Sequence, residues 1–299
     1  MAFINVFIEN SCKISIDADR LILESDSKRS VYPVSDVNCL MVDCLAVNIS
    51  LYAINKLCES GATVIICDDK HLPSCIMLPF GGYYKRLSVI KHQTDFSKVK
   101  VKNLWQSIVK QKLFVQGQCL EQNGKEGYKY LYSLSKSVLS GDSENVEAQG
   151  AAFYFKQLFG EGFSRTDDSV VNGFLNYGYS IVRSLICRHL SARGFECSIG
   201  LFHKNQLNNY NLADDIIEPF RPIVDNFIFN VCACEIALSP ALKRKIFSVV
   251  NLNVSIGGEI HSLSNAVEKV VESLLSVYLG KSEKLLMPSL VEISMHEYE

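Results

Sequence analysis

The first 70 residues alternate short apolar runs with turn residues, which is the pattern of β-strands. The runs are rich in β-branched residues and are too short for amphipathic helices of ordinary length. Asn48 precedes a stretch with helical spacing that stops before Gly61, so Asn48 is the predicted N-cap of a single helix. Strands are predicted at residues 3–8, 12–17, 20–24, 30–34, 37–42 and 62–67, and the helix at residues 49–59.

Beyond residue 84 the apolar positions recur every three or four residues, as they do in amphipathic helices. Strand patterns nearly vanish in this part of the chain. The last turn, residues 292–299, carries three acidic residues and is predicted to be a frayed tail. Helices are predicted at residues 101–118, 128–139, 144–159, 170–190, 212–229 and 263–279.

The two patterns meet at a segment with one proline and two glycines, Leu-Pro-Phe-Gly-Gly at residues 78–82. Such residues are typical of a linker, and the charge of the chain changes sign at the same place. We therefore predict an α+β fold. A small N-terminal β-sheet domain with one helix, residues 1–77, is followed by a linker at 78–84 and a larger all-α domain at 85–299.

Charge is distributed unevenly along the chain. The net charge of −2 argues against a protein that coats nucleic acid indiscriminately, and residues 1–83 carry a net −4. Residues 84–115 instead carry a net +7, which fits either a solvated helical face or a surface that follows a DNA backbone. The basic residues of this stretch are Lys85, Arg86, Lys91, Lys98, Lys100, Lys102, Lys110 and Lys112.

The apolar runs and the cysteines indicate the cellular compartment of the protein. No run approaches the roughly 20 apolar residues that span a bilayer, and the N-terminus lacks the pattern of an export signal. The eleven cysteines show no framework of paired spacings, which is usual for reduced thiols. We therefore expect a cytoplasmic protein that does not bind a membrane.

Glu147 is an acidic residue on the apolar face of a predicted helix. Steps of three and four residues from it reach Gly150, Ala151, Tyr154 and Leu158, which form the stripe that faces the core. A carboxylate buried there must be paired, protonated or bound to a metal. Both a structural arginine partner and a metal ion fit this pattern.

His203 and Glu218 stand in two further polar segments. His203 follows a glycine and two apolar residues, which suits either a hydrogen-bonded structural histidine or a metal ligand. Glu218 lies one helical turn after Asp214 and Asp215, and acids at this spacing destabilise a helix unless a cation compensates. The two aspartates also suit the positive end of the helix dipole. Pro219 should kink the helix directly after Glu218.

Together these segments resemble the signature blocks of the CRISPR-associated integrase family. Glu147 stands in Glu-Ala-Gln-Gly-Ala-Ala-Phe-Tyr-Phe, His203 in Gly-Leu-Phe-His-Lys-Asn, and Glu218 in Leu-Ala-Asp-Asp-Ile-Ile-Glu-Pro-Phe-Arg-Pro. Residues 172–180, Asn-Gly-Phe-Leu-Asn-Tyr-Gly-Tyr-Ser, are similar to the family's asparagine-and-tyrosine helix. The likeness covers essentially the whole chain. The last block looks like the branch that accompanies single-effector, type II, CRISPR systems.

By this resemblance, Glu147, His203 and Glu218 are both the catalytic residues and the metal ligands. Two carboxylates and one imidazole suit Mg²⁺ or Mn²⁺ and leave positions open for water and phosphate. Some family members bind the metal through a second acid on the last helix, an aspartate. Both Asp214 and Asp215 are candidates for that position here.

The resemblance implies a metal-dependent DNA endonuclease and integrase that inserts foreign DNA fragments, the spacers, into a CRISPR repeat array. The 3′-hydroxyl of the fragment attacks a phosphodiester at the edge of a repeat, and water in its place gives hydrolysis. Two arginines, Arg165 and Arg221, fit either phosphate binding or structural pairing with Glu147 or Asp214. The other candidates for DNA binding are Lys85, Arg86 and Lys91.

The resemblance also implies partners. They are a double-stranded DNA fragment, the CRISPR repeat DNA, and a second copy of the chain bound through the sheet domain. A small ferredoxin-like second Cas protein would complete a heterohexamer. In type II systems the effector nuclease and a ring-shaped DNA-binding protein join fragment capture.

Two other classes of protein fit the same residues. A stand-alone metal-dependent nuclease for branched DNA would use the same ligands without the small partner. A non-catalytic DNA-binding scaffold would use the acids and the histidine only as structural groups. A strand-transfer assay separates the three classes. Joined products indicate the integrase, cuts without joining indicate the nuclease, and binding without either reaction indicates the scaffold.

Overall fold

The computed structural model describes residues 4–26, 28–69, 73–77, 85–232 and 235–296. Contacts divide the chain into two units, with the division between Gly82 and Tyr83. The predicted linker at residues 78–84 lies outside the described residues. The dimerisation role assigned to residues 1–77 and the catalytic role assigned to residues 85–299 stay predictions.

The N-terminal unit is built from short strands, as the alternating pattern predicted. They are β1 (Ile4–Ile8), β2 (Lys13–Asp17), β3 (Arg20–Glu24), β4 (Arg29–Pro33), β5 (Val37–Val42), β6 (Asn48–Ile49), β7 (Thr63–Cys67) and β8 (Pro73–Met77). One sheet has the order β1-β5-β7-β8, in which the first three strands run parallel and β8 is antiparallel. The other has the order β4-β3-β2-β6. All six residues of β5 are buried, since parallel strands flank it on both sides.

One helix, α1 (Leu51–Glu59), packs against β2 and β7 in this unit. Its N-cap is Ser50, whose Oγ accepts a hydrogen bond from the backbone N–H of Ala53 at 3.1 Å. The prediction of Asn48 as the cap is therefore wrong. Asn48 lies in β6, where it pairs with Lys13 of β2. Ala53 and Leu57 of α1 are fully buried and complete the core between the helix and the sheets.

The C-terminal unit is mainly helical, and the helices predicted from apolar spacing are present with ends shifted by a few residues. The prediction of one helix at residues 212–229 is only partly right. A 3₁₀ turn at Glu218–Phe220 divides it, because Pro219 has no N–H to donate and fixes its own φ. The helices are α2 (Arg86–Thr94), α3 (Lys98–Gln122), α4 (Tyr128–Ser137), α5 (Val146–Phe159), α6 (Val170–Ala192), α7 (Asn211–Ile216), α8 (Arg221–Val231), α9 (Pro240–Phe247) and α10 (Leu263–Tyr278).

A three-stranded sheet also belongs to this unit, and the apolar pattern did not predict it. Its order is β10-β9-β11, with β9 at Leu252–Ile256, β10 at Glu259–Ser262 and β11 at Ser289–Met295. The prediction of a frayed tail is thus wrong for residues 292–295. The tail is ordered because β11 pairs with β9 and because two glutamines of α3, Gln111 and Gln118, bond to Pro288 O and Leu290 N.

Helix α3 organises the C-terminal unit. It packs against α4, α5, α8, the 3₁₀ turn and β11. At 25 residues it spans about 37 Å, so side chains along one helix reach several neighbours. Its buried face includes Trp105, Ile108, Lys112 and Leu113, of which only Lys112 is charged. No helix in the described part of the chain has a segment long and apolar enough to cross a membrane.

Two helical glycines provide a matched test of the packing between α3 and α5. A Cβ on Gly150 of α5 would lie 2.1 Å from Cδ2 of the buried Leu113 on α3, whereas a Cβ on Gly173 of α6 would meet no atom within 4 Å. We expect Gly150→Ala to lower the free energy of unfolding by about 1–3 kcal/mol through overpacking. Gly173→Ala should raise it by about 0.5–1 kcal/mol through helix propensity. Urea denaturation checks both values, and stabilisation by both variants would contradict this packing.

Candidate metal centre

Glu147 lies in the first turn of α5, and a buried aspartate fixes the start of that helix. Asp142 accepts hydrogen bonds from the backbone N–H of Val146 at 2.9 Å and from that of Glu147 at 3.1 Å. It thereby satisfies two of the backbone donors that a helix N-terminus leaves unpaired. The preceding Asn145 adopts the left-handed conformation with φ of 53°. These contacts hold the backbone of Glu147 in one place.

Lys112 of α3 joins the two predicted glutamate ligands. Its ammonium donates to Oε1 of Glu147 and to Oε2 of Glu218. The lysine is only 6% exposed and Glu218 is equally buried. Burial lowers the pKa of Lys112, but the carboxylates of Glu218 and Glu147 outweigh that effect and raise it. Two carboxylates from different segments therefore meet at one cation.

This position of Lys112 corrects two expectations. Lys112 was counted among the basic residues of a DNA-facing stretch, yet its side chain lies inside the protein. The structural partner considered for Glu147 was an arginine, and its partner is this lysine. The signal was present in the sequence, because Lys112 lies four residues after Ile108 and seven after Trp105, within the apolar stripe of α3.

Glu218 is held by a second cation. Its Oε1 accepts a hydrogen bond from Nε of Arg221 at 2.9 Å. Burial raises the pKa of Glu218, but the charges of Lys112 and Arg221 prevail and lower it to about 2. Glu218 is therefore ionised at neutral pH, and its oxygens can only accept hydrogen bonds or bind a cation.

His203 is positioned by a loop that wraps around the fully buried Asp215. The Asp215 carboxylate accepts the backbone N–H groups of Leu201, Phe202 and His203, and Nδ1 of His203 lies 2.7 Å from its Oδ1. The loop is too tight for a side chain at Gly200, where a Cβ would lie 2.4 Å from the carbonyl oxygen of His203. The hydrogen bond to Asp215 raises the pKa of His203.

A carboxylate on one ring nitrogen of a histidine is the usual support of a metal-binding histidine. Among the described residues, Nε2 of His203 has no hydrogen-bond partner. Asp215 thus acts as a positioning group for His203. Asp214 points to different partners, with Arg183 at 3.7 Å and Asn208 at 2.7 Å.

The same helix that carries Lys112 also contacts the histidine loop. The ring of Phe202 stacks on Trp105 of α3 with centroids 4.4 Å apart, and the ring of His203 meets Trp105 edge-on at 6.1 Å. Trp105 and Lys112 are two turns apart on one face of α3. Helix α3 is therefore the common support of all three predicted ligands.

The three predicted ligands are brought together only in part. Glu147 and Glu218 share the ammonium of Lys112, and the charge of Glu218 contributes to the raised pKa of His203 after that of Asp215. Within the described ranges, no three His, Cys, Asp or Glu side chains are arranged to hold one metal ion. The cation between the two carboxylates is Lys112 itself, so the three-ligand site stays a prediction.

The two arginines named from the sequence occupy different surroundings. Arg165 donates to the side-chain oxygens of Asn172 and, at 2.8 Å, of Asn176, so its structural partners are the asparagines of α6. Its guanidinium lies 5.4 Å from the ring centroid of Tyr179, and that of Arg221 lies 4.6 Å from the same ring. Neither arginine pairs with Glu147 or Asp214.

The basic residues of α2 lie near the segment that leads to the histidine loop. Arg86 pairs with Glu196 at 3.4 Å, and Gln93 exchanges hydrogen bonds with the backbone of Glu196. Lys91 lines a separate pocket of about 460 Å³ together with Lys100. The DNA-binding role of Lys85, Arg86 and Lys91 stays a prediction.

Asp225 is a buried acid close enough to Arg165 and Arg221 to feel their charges. Asp225 of α8 accepts a hydrogen bond from Oη of Tyr179. Burial raises the pKa of Asp225 to about 7, although hydrogen bonds from Tyr179 and Tyr154 and the charges of Arg165 and Arg221 oppose that shift. Sequence reasoning did not single out this residue, because one aspartate in a long apolar helix has no local signature.

Comparison with known proteins identifies the family. Residues 6–238 match the family model described as CRISPR associated protein Cas1. A CRISPR-associated endonuclease Cas1 from Neisseria meningitidis serogroup C is 33% identical over the full length of both chains. The chain belongs to the Cas1 family. This confirms the predicted family and, with it, the prediction of a CRISPR-associated endonuclease.

Solved structures of Cas1 and its relatives share the fold. A Cas1 protein from Thermotoga maritima matches with a TM-score of 0.74 at 16% identity, covering 93% of this chain and 98% of that one. A casposase bound to an integration product also matches with a TM-score of 0.74, at 21% identity, covering 95% and 92% of the two chains. The predicted α+β fold class is confirmed, with the Cas1 fold as its form.

Removing the shared cation should destabilise this Cas1 chain in metal-free buffer. Lys112→Met leaves the buried Glu218 and the half-buried Glu147 without their common partner, and we expect a loss of about 3–5 kcal/mol in the free energy of unfolding. Urea denaturation in EDTA measures it. Lys110→Met on the same helix is the matched control and should change stability by no more than about 0.5 kcal/mol. Equal effects of the two variants would contradict the bridging role.

Asp225 should make stability depend on pH. Its pKa is raised in the folded protein to about 7 from its ordinary value of 3.8, so the folded state keeps a proton that the unfolded state has lost. The free energy of unfolding should therefore fall as pH rises from about 4 to about 7. Asp225→Asn should flatten this slope, as measured by urea denaturation across that range. A slope unchanged by the substitution would rule out Asp225 as its source.

Proposed function

We propose that this chain is the integrase of CRISPR spacer acquisition, with Glu147, His203 and Glu218 holding a catalytic Mg²⁺ or Mn²⁺. It joins the 3′-hydroxyl ends of a double-stranded DNA fragment to phosphodiesters at the edges of a CRISPR repeat. The observation that carries the proposal is the meeting of two glutamates, from α5 and the 3₁₀ turn, at one buried cation. The family membership supports the reaction class.

The chemistry of the donor set fits a divalent metal. Carboxylate oxygens and an imidazole nitrogen suit Mg²⁺ or Mn²⁺. Glu218 stays ionised well below neutral pH, and Nδ1 of His203 is held by Asp215, which leaves Nε2 for a metal. Lys112 binds the same carboxylates, so a divalent ion competes with its ammonium for their oxygens.

The residues around the site have separate tasks in this reaction. When bound, the metal lowers the pKa of the attacking hydroxyl and offsets negative charge on the phosphate. Asp142 fixes the backbone of Glu147, and Arg221 fixes the carboxylate of Glu218. Asp215 sets the ring orientation of His203. Preorganised groups of this kind reduce the cost of reorganisation during the reaction.

The proposed partners follow from the family and its solved complexes. One matching structure is a Cas1–DNA complex, with a TM-score of 0.58 at 14% identity, and another is a Cas6-RT-Cas1–Cas2 complex. We infer a homodimer through the N-terminal sheet unit and a heterohexamer with the small ferredoxin-like Cas protein. The net −4 of residues 1–83 suits protein contact better than DNA contact. The full-length likeness to the Neisseria protein supports the type II branch, with its effector nuclease and ring-shaped DNA-binding protein as further partners.

A strand-transfer assay tests this function against its rivals. A labelled fragment is incubated with a supercoiled repeat plasmid, with and without Mn²⁺ and the small partner. Joined products support the integrase, cuts without joining support a stand-alone nuclease for branched DNA, and binding without either supports a DNA-binding scaffold.

His203→Ala should abolish joining in that assay while circular dichroism shows an intact fold, because the proposed metal loses its only nitrogen ligand. His261→Ala is the matched control, since among the described residues the ring of His261 on β10 pairs with the exposed Glu259 at 3.1 Å, away from the predicted ligands in sequence. The control should join at the wild-type rate. Full activity of His203→Ala would refute the assignment of the site.

A further inference from the structure

A small pocket lies beside the turn that carries Glu218, and the proposed metal centre does not use it. Its volume is about 220 Å³. Pockets for whole small molecules measure roughly 300–1,000 Å³, so this one suits a single compact group. The lining residues are Asn176, Tyr179, Ser180, Arg183, Asp214, Ile217 and Arg221.

Arg221 connects this pocket with the candidate metal centre. Its Nε is committed to Glu218 at 2.9 Å, and its guanidinium lies over the ring of Tyr179 with 4.6 Å to the centroid. The two terminal nitrogens make no hydrogen bond to any described residue. The side chain is thus fixed by two contacts and still has donors to offer to a ligand.

Arg183 of α6 is the second guanidinium of the pocket, and sequence reasoning did not select it. It lies over the ring of Tyr210 with 5.3 Å to the centroid. Its contact with Asp214 is 3.7 Å, too long for a hydrogen bond, while Asn208 donates to Asp214 at 2.7 Å. Within the described part of the chain, the donors of Arg183 therefore also lack a hydrogen-bond acceptor.

We propose that this pocket binds one phosphate of a DNA strand, next to the phosphodiester that reacts at the metal centre. The proposal rests on the proposed function, since it places DNA at Glu218. Each of the two arginines lies over an aromatic ring and has terminal nitrogens without a hydrogen-bond acceptor among the described residues, so together they match the oxygens of a phosphate. Asn176 and Ser180 line the same pocket with neutral polar groups, and Asp214 is the one acid that lines it, so the charge of the lining is net positive.

The position of the phosphate follows from Arg221. Arg221 donates from Nε to Glu218 and also lines the pocket. A phosphate bound in the pocket and a phosphate reacting beside Glu218 would contact the same arginine, so we infer that they are neighbours along one strand. The pocket would fix the register of the strand, because phosphate contacts position nucleic acid.

DNA affinity without metal tests the pocket separately from catalysis. Binding of a fluorescein-labelled duplex with single-stranded 3′ ends is followed by anisotropy in EDTA over a range of salt concentrations. Arg183→Gln should raise Kd about tenfold and reduce the slope of log K against log salt by about 0.9. Arg183→Lys keeps the charge but loses the planar guanidinium, and its Kd should lie between those of wild type and Arg183→Gln. Arg29→Gln, in the acidic N-terminal unit, is the matched control and should match wild type.

Two further measurements keep the test independent of any folding defect in Arg183→Gln. Methylphosphonate, which removes one phosphate charge, is placed at successive positions from the reacting end. One position should weaken binding to wild type about tenfold and leave binding to Arg183→Gln unchanged. Asp214→Asn removes the acid that competes for Arg183 and should tighten binding.

The outcomes separate this proposal from the proposed function. Absence of DNA binding by the wild-type chain would contradict both the phosphate pocket and the proposed function. Normal wild-type binding with an unchanged Kd and salt slope for Arg183→Gln would overturn the phosphate pocket alone. Weaker binding by Asp214→Asn would also overturn it, because Arg183 would then serve to hold Asp214 rather than a phosphate.

Discussion

The contact on which the candidate site depends is the one between Lys112 and two carboxylates, the buried Glu218 and the half-buried Glu147. Glu147 and Glu218 come from segments 71 residues apart, and like charges at such proximity repel strongly in a protein interior. A single ammonium, delivered by the long helix α3, neutralises both. The two carboxylates are therefore held together by an internal cation. Under the proposed function, a divalent ion would compete with this cation, and stability and metal binding would be linked through the same oxygens.

Three polar residues hold the predicted ligands in place. Asp142 fixes the start of α5, Asp215 binds the whole turn that carries His203, and Arg221 restrains Glu218. Asp142 and Asp215 accept backbone N–H donors, so their carboxylates are satisfied although they are buried. Arg221 is held by its ion pair with Glu218. Rigid supports of this type are what a site needs when its ligands come from different helices.

Regular spacing made most of the fold predictable from the sequence, and special packing explains what was missed. The helices were predictable because their apolar stripes repeat over several turns, and Glu147 was found because it interrupts such a stripe. Lys112 interrupts α3 in the same way, but it stood within a run of surface lysines and was grouped with them. The strand β11 was missed because its pairing partner β9 lies over 30 residues earlier, beyond the reach of a local pattern. Asp215 positions His203 by accepting backbone N–H groups of the loop at residues 201–203. The spacing of apolar residues gives no information on such a contact.

The most direct measurement is a crystal structure of the protein soaked in Mn²⁺, with anomalous scattering used to locate the metal. We expect one strong anomalous peak within bonding distance of the carboxylates of Glu147 and Glu218 and of Nε2 of His203, with the ammonium of Lys112 displaced. A lysine that still bridges the two glutamates, with the manganese absent or bound by other residues, would contradict this expectation.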